Sequence, residues 1–280
     1  MVAAIDVQPI AGALGAEISG VDLSQELSNA TFDTIHQAFL DHQVIFFRDQ
    51  GALQPEQHKD FGRRFGTLNV HPYVTGMDGH PEILEIIKEP DERSNFGGGW
   101  HSDMSFLEEP ALGSMLHAVE VPPYGGDTLF ASQTAAYEAL SDGMKVMLEP
   151  LKAVHSASRE YGKKGYSAKS RQSMDTRTAE RAPEYEHPVI RTHPQTGKKG
   201  LYVNPAFTHR FADMTRHESK PLLEFLFNHS RDERFTCRFR WSKGALAFWD
   251  NRCCWHYALN DYQGHRRHMR RVTIDGEKPI

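Results

Sequence analysis

The pattern of apolar and polar positions divides the chain into many short strands and a few helices. Phe32, Ile35 and Phe39 recur at helical spacing, and the unbroken apolar run 44–47 follows them. These features predict a helix from about Ser28 to Asp41 and then a strand buried on both faces. Further helices are predicted at 54–65, 132–148 and 218–228. Further strands are predicted at 5–10, 83–87, 114–119, 128–131, 187–190, 200–204, 236–241, 245–249 and 269–274.

Short strands separated by glycine and proline turns, with few helices, are typical of a β-barrel or a double-sheet jelly roll. A chain of 280 residues can form one large β-rich domain or two small ones. The sequence shows no internal repeat and no composition typical of a linker. We therefore predict a single domain spanning residues 1–280, mainly β with flanking helices.

One segment, 158–186, departs from this pattern because basic side chains stand among glycine and serine with little apolar content. Its cations are Lys163, Lys164, Lys169, Arg171, Arg177 and Arg181. Two interpretations stay open: a solvated loop, or a lid that closes over an anionic substrate.

The charge and composition of the chain argue against several classes of protein. The net charge of −5 argues against a nucleic-acid-binding protein, which would usually be basic. No run of 18 apolar residues is present, so no transmembrane helix is expected, and the N-terminus lacks the features of a secretory signal. Cys237, Cys253 and Cys254 are too few for a disulfide framework and are interpreted as buried apolar residues. These features predict a cytoplasmic protein.

The candidate chemistry centres on Trp100-His101-Ser102-Asp103 and on His256 in an aromatic-rich strand. In extended chain the side chains of His101 and Asp103 point to the same side, so they can reach one point. Two imidazoles and one carboxylate on one face of a metal leave the opposite face open, which suits non-haem Fe(II). A single His-x-Asp is a weak signal, and the downstream histidine strengthens it.

An arginine cluster follows His256. Strand alternation places Arg267 and Arg271 on one face and Arg266 and Arg270 on the other. A planar guanidinium suits bidentate binding of a carboxylate or sulfonate. We interpret Arg266 and Arg270 as surface charge.

Four motifs in order resemble the taurine/2,4-dichlorophenoxyacetate (TauD/TfdA) dioxygenases, which depend on Fe(II) and 2-oxoglutarate. They are 100–103, the Gly-Gly-Asp-Thr of 125–128, 249–252 with His256-Tyr257, and the terminal arginines. The resemblance extends over about 5–279. It implies a double-stranded β-helix (jelly-roll) core with helices outside, and a homo-oligomer, a dimer or larger.

The resemblance also implies roles for individual residues. His101, Asp103 and His256 match the ligands of Fe(II). Thr128 matches the threonine that hydrogen-bonds 2-oxoglutarate, and Arg267 matches the arginine that binds its distal carboxylate. O₂ is the other co-substrate.

Three further residues match positions that contact the substrate. Arg271 matches the arginine that binds the acidic group. His71 matches a substrate-contacting histidine, with a surface histidine as the alternative. Phe207 matches an aromatic residue of the pocket, with a core phenylalanine as the alternative.

The reaction that the resemblance implies is hydroxylation of a small carboxylate- or sulfonate-bearing substrate, followed by collapse of the product. Taurine dioxygenases have an asparagine shortly before the first ligand, where this chain has 96–99, Phe-Gly-Gly-Gly. Segments 155–159 and 219–223 are more similar to the aryloxyalkanoate-cleaving members. We therefore expect an aryloxyalkanoate-like substrate, with taurine or an alkyl sulfate or sulfonate as the alternative.

Two other functions use the same residues. A zinc-dependent hydrolase can be built from two histidines and a carboxylate, with water as the fourth ligand. It gives no reason for Thr128 and Arg267 to flank the site. A non-catalytic jelly-roll binding module would tolerate the loss of a ligand, yet all three are present.

Overall fold

The computed structural model describes residues 5–163, 174–179 and 182–280, and most of its regular structure is β. The strands are β1 Asp6–Pro9, β2 Ala16–Ser19, β3 Val44–Phe47, β4 Ile83–Lys88, β5 Gly113–Glu120, β6 Thr128–Ser132, β7 Lys152–Ser156, β8 Glu184–Pro188, β9 Ile190–Thr192, β10 Lys199–Leu201, β11 Thr208–Phe211, β12 Thr236–Phe239, β13 Leu246–Asp250, β14 Cys254–Ala258 and β15 Arg267–Ile274. The helices are α1 Asn29–His42, α2 Pro55–Arg63, α3 Gln133–Glu138, α4 Asp142–Leu148, α5 Ser158–Tyr161 and α6 Arg216–Ser230, with a 3₁₀ turn at Glu233–Phe235.

Two sheets pack against each other around the largest apolar cluster. A seven-stranded sheet has the order β1-β2-β3-β13-β5-β15-β4, and a three-stranded sheet has the order β12-β6-β14. Phe46 of β3 stacks on Phe239 of β12 with ring centroids 4.1 Å apart, and it meets Phe130 of β6 edge-on at 5.5 Å. The aromatic contacts join the two sheets over the region that carries the candidate site.

Strand β3 is buried on both faces, as its continuous apolar run predicts. Val44 and Phe46 face the cluster between the sheets, whereas Ile45 and Phe47 face a second cluster that contains Phe39 of α1. The predicted helix before it is confirmed, since the Ser28 side chain accepts a hydrogen bond from the Thr31 amide at 3.1 Å and begins α1.

The prediction of one helix over 132–148 is wrong. The segment forms α3 and α4, separated at Ala139–Ser141. Ser141 has extended backbone and its side chain accepts from the Met144 amide, so it begins a new helix instead of continuing the first. Strands β2, β7 and β11 were not predicted; each is only four or five residues long.

Part of the basic segment 158–186 has regular structure. Tyr161 closes α5, and its carbonyl accepts from the Ala179 amide at 2.8 Å. Thr176 bridges to Val74, and Met174 is buried in the main cluster. Lys164, Lys169, Arg171 and Arg181 lie outside the described residues, so the lid stays a prediction.

The three cysteines are buried and form no disulfide, as expected. Burial raises the pKa of the Cys237 thiol to about 12. No helix of the described ranges has the length and apolar character needed to cross a membrane.

Candidate active site

The structure brings His101, Asp103 and His256 together. His256 lies on β14, and its backbone exchanges two hydrogen bonds with His101, at 3.1 and 2.9 Å. The Nε2 atoms of His101 and His256 lie 3.6 and 3.8 Å from Asp103 Oδ1. All three side chains are buried, and their candidate ligand atoms lie within 4.8 Å of one another.

Neighbouring groups orient these three side chains. His101 Nδ1 donates to the Gly99 carbonyl at 2.7 Å, and Nε2 faces Asp103. Asp103 Oδ2 accepts from Ser114 Oγ at 2.7 Å. Asn251 accepts from the Asp103 amide and donates to Ser114 at 3.0 Å. Sequence reasoning missed Ser114, although Asn251 stands in a motif that it singled out.

Burial and the local charges keep Asp103 and His256 in the forms that bind a metal. Burial alone would raise the pKa of Asp103, but the Arg271 guanidinium, with His256 and His101, holds it well below 3.8. Arg271 Nη1 donates to Asp103 Oδ1 at 3.0 Å. Burial, and then His101, lowers the pKa of His256 well below 6.5. A charged carboxylate and a neutral imidazole are both metal-binding forms, so the residues fit a divalent metal with open positions.

A second group, His193, Asp250 and Cys253, also brings candidate ligand atoms together. Its carboxylate is already satisfied, because Arg252 donates to both Asp250 oxygens at 2.8 and 2.7 Å. His193 Nδ1 accepts from two backbone amides, which leaves Nε2 to donate to Asp250 at 2.9 Å. This group is a hydrogen-bonded structural network.

Arg267 is a buried cation with unused donors. It is 4% exposed, and neither Nε nor Nη2 has a hydrogen-bond partner among the described residues. Thr128 Oγ1 accepts from Trp241 Nε1 at 3.0 Å, and the Trp241 ring lies 5.8 Å from the Arg267 guanidinium carbon. Gly126 has φ +68°, and a Cβ there would lie 3.4 Å from Arg267 Cδ. The donor set around Arg267 fits a carboxylate.

A cavity of about 190 Å³ opens beside the His-Asp-His group. Most of its walls are apolar or aromatic, with Arg271 as their cation. The lining residues are His71, Phe96, Gly97, Gly98, Gly99, His101, Asp103, Met104, Phe106, Glu160, Tyr161, Ala206, Phe207 and Arg271. Thr128 and Arg267 do not line it.

His71 is buried, so the alternative of a surface histidine is wrong. Its Nδ1 accepts from the amides of Tyr73 and Val74, each at 3.1 Å, which places the proton on Nε2. Burial, and then Arg271, lowers the pKa of His71 to about 3. Phe207 is both a core residue and a wall of the cavity, and its ring lies 6.4 Å from that of His101.

The other face of β15 carries the remaining arginines. Arg266 binds Glu89 at 3.1 Å and Glu120 at 2.6 Å, and Arg270 lies 3.8 Å from Glu85. These partly exposed ion pairs agree with the interpretation of Arg266 and Arg270 as surface charge.

Known proteins resemble this chain over nearly its whole length. The family model for taurine catabolism dioxygenase TauD, TfdA family, matches residues 6–273. The chain is 36% identical to the alpha-ketoglutarate-dependent sulfate ester dioxygenase of Pseudomonas putida, over 99% of this chain and 91% of that protein. It is 32% identical to the alpha-ketoglutarate-dependent 2,4-dichlorophenoxyacetate dioxygenase of Cupriavidus pinatubonensis, over 95% and 96%. A solved taurine dioxygenase from Burkholderia xenovorans has a TM-score of 0.82 and 35% identity, covering 99% of this chain and 91% of that one.

Proposed function

This chain belongs to the TauD/TfdA family of alpha-ketoglutarate-dependent dioxygenases, and from that premise we propose that it hydroxylates a small organic anion with an apolar body. Its class is oxidoreductase. The observation that carries the substrate proposal is the cavity that joins the His-Asp-His group, the Arg271 guanidinium and aromatic walls. The two facing sheets support a double-stranded β-helix as the core.

His101, Asp103 and His256 are the proposed ligands of Fe(II). Thr128 and Arg267 are the proposed contacts of 2-oxoglutarate, and the unpaired donors of buried Arg267 support a carboxylate partner. When bound there, Fe(II) would couple the oxidative decarboxylation of 2-oxoglutarate by O₂, which gives succinate and CO₂, to the conversion of a substrate C–H bond to C–OH.

Arg271 is the proposed anchor of the substrate anion. Its Nη1 contacts Asp103, its Nε has no hydrogen-bond partner among the described residues, and its side chain lines the cavity. His71 presents its Nε2 proton as a neutral hydrogen-bond donor in the same cavity. The two donors would fix the anion, and the reacting carbon would then be placed by the length of the substrate.

The apolar walls exclude water from the reacting carbon. Phe106 and Phe207 lie edge to face with ring centroids 4.9 Å apart, and both are buried. A dry wall also favours an apolar substrate body.

Aryloxyalkanoates are the first candidate substrates, because the walls offer ring faces for an aryl group. Hydroxylation of the carbon that bears the ether oxygen gives an unstable product. Its C–O bond breaks, the hydroxyl proton moves to the leaving phenol, and a carbonyl remains. Alkyl sulfates are the second candidate, because a relative with 36% identity is a sulfate ester dioxygenase.

Succinate release with Fe(II) and 2-oxoglutarate tests the proposal across aryloxyalkanoates, alkyl sulfates, sulfonates and taurine. We expect stoichiometric succinate and phenol or aldehyde with one of the first two classes, and only with O₂ present. A zinc hydrolase would instead release its product without O₂ or 2-oxoglutarate, and that result would overturn the proposal. The homo-oligomeric state and the cytoplasmic location stay predictions; light scattering on the purified protein tests the first.

A further inference from the structure

A second cavity, of about 340 Å³, is lined by residues of α5, β11 and α6 and shares no lining residue with the cavity beside His101 and Asp103. It is lined by Arg159, Thr208, His209, Arg216, Lys220, Leu223, Glu224 and Phe227. Three permanent cations therefore face one carboxylate. The proposed reaction does not use these basic residues. We call the cavity that they line the outer basic cavity.

His209 is the residue that points to a ligand. It is 5% exposed, and both ring nitrogens are buried without a hydrogen-bond partner among the described residues. Thr208 pairs with His155 and Arg210 with Val154, so His209 is the extra residue of a β-bulge, a feature that often re-aims a side chain. Leaving both nitrogens unpaired is costly, and a bound group in the cavity would satisfy one of them.

The cations come from two different elements. Arg216 and Lys220 lie one turn apart on the same face of α6. Arg159 of α5 donates to the carbonyls of Pro205 and Thr208 at 3.2 and 3.1 Å, which holds it against the strand that carries His209. Burial, and then the nearby Arg216, lowers the pKa of Arg159. This clustering of like charges is unfavourable unless an anion offsets it.

We propose that the outer basic cavity binds a small tetrahedral oxyanion, sulfate or phosphate, between Arg159, Arg216 and the ring of His209. Guanidinium groups match the geometry of such oxyanions through paired hydrogen bonds. The Lys220 ammonium adds charge, although Glu224 lies 3.7 Å from it.

Calorimetric titration of the full-length protein with sulfate, and separately with phosphate, tests the proposal at constant ionic strength set with chloride. We expect saturable binding that Arg216→Gln weakens about tenfold or more, through loss of a charge-assisted pair. The matched control is Arg231→Gln, which removes a cation at the other end of α6. An Arg271→Gln variant, which removes the proposed anchor of the substrate anion, should keep the binding event that Arg216→Gln weakens, because Arg271 does not line this cavity.

The ring resonances of His209, identified with a His209→Gln variant, give a second readout. Burial, and then Arg159 and Arg216, lowers the pKa of His209 to about 4, and a bound oxyanion should raise it. If sulfate and phosphate compete in changing the His209 resonances, they share one site. Their relative affinities then identify the preferred ion. The proposal fails if binding is absent, if Arg231→Gln weakens it as much as Arg216→Gln, or if only Arg271→Gln removes it.

Discussion

Replacing Arg267 by methionine should stabilise the protein without ligands and abolish its binding of 2-oxoglutarate. The guanidinium is 4% exposed, and two of its nitrogens have no partner among the described residues. Burial lowers the pKa of Arg267, which reports the cost of keeping the charge away from water. Tyr262 and then Asp127 oppose this effect, but Asp127 is itself bound to Arg238 at 2.7 Å.

The substitution should have two effects on the free energy of unfolding: a gain without ligand, and the loss of the stabilisation that 2-oxoglutarate provides. Exchanging a buried ion pair for well-packed apolar side chains is often neutral or stabilising by about 1–4 kcal/mol, and we expect a gain of this order for a buried cation with unpaired donors. Binding of 2-oxoglutarate at a hundred times its dissociation constant should stabilise the wild type by about 2.7 kcal/mol, through mass action. Arg267→Met should therefore be more stable than the wild type without ligand. It should not be stabilised by 2-oxoglutarate, because the guanidinium that would bind the carboxylate has been removed.

Urea unfolding with and without 2-oxoglutarate measures both quantities in the presence of Mn(II), which supplies a metal without turnover. The matched control is Arg266→Met on the opposite face of β15. Arg266 pairs with Glu89 and Glu120 at the surface, so its loss should cost about 0–1 kcal/mol and leave the response to 2-oxoglutarate intact. If Arg267→Met is strongly destabilised, or is still stabilised by 2-oxoglutarate, Arg267 is a structural residue and the assignment is wrong.

Three further predictions follow from the site and the core. Asp103→Ala should abolish succinate release and weaken Mn(II) binding while the circular dichroism spectrum stays native; near-normal turnover would reject the ligand assignment. Arg271→Gln should raise the KM for the organic anion about tenfold or more and leave 2-oxoglutarate binding near the wild-type value, and equal losses for both would reject the separation of the two anchors. Burial lowers the pKa of His58 to about 3 and that of His187 to about 4, so the unfolded chain binds more protons below pH 6.5 and stability should fall as pH drops from 6.5 toward 4. For His58 alone the loss at pH 5 is about 2 kcal/mol, and His58→Leu should flatten the pH profile of urea unfolding.

The sequence by itself determined the elements whose signals are local. The spacing of Phe32, Ile35 and Phe39 predicted α1, because these positions lie within a few residues of one another in the chain. The error at 132–148 also has a local cause. The spacing of apolar residues is helical throughout the segment, but the Ser141 side chain begins a second helix, which that spacing does not show.

The sequence also identified the family, because motif residues and their order do not depend on knowing the fold. It named His101, Asp103 and His256, and the structure brings them within reach of one another. It could not give the protonation of His71, since two backbone amides and burial decide that.

Only the tertiary structure decided how the site is supported and what surrounds it. Ser114 reaches Asp103 because β5 lies between β13 and β15, and Asn251 reaches it from 148 residues away. The unpaired donors of Arg267 and the ring of His209 are likewise properties of packing. Backbone preferences are set by neighbours in the chain, whereas burial and hydrogen-bond partners depend on which distant strands pair, and short-range sequence patterns do not encode that pairing.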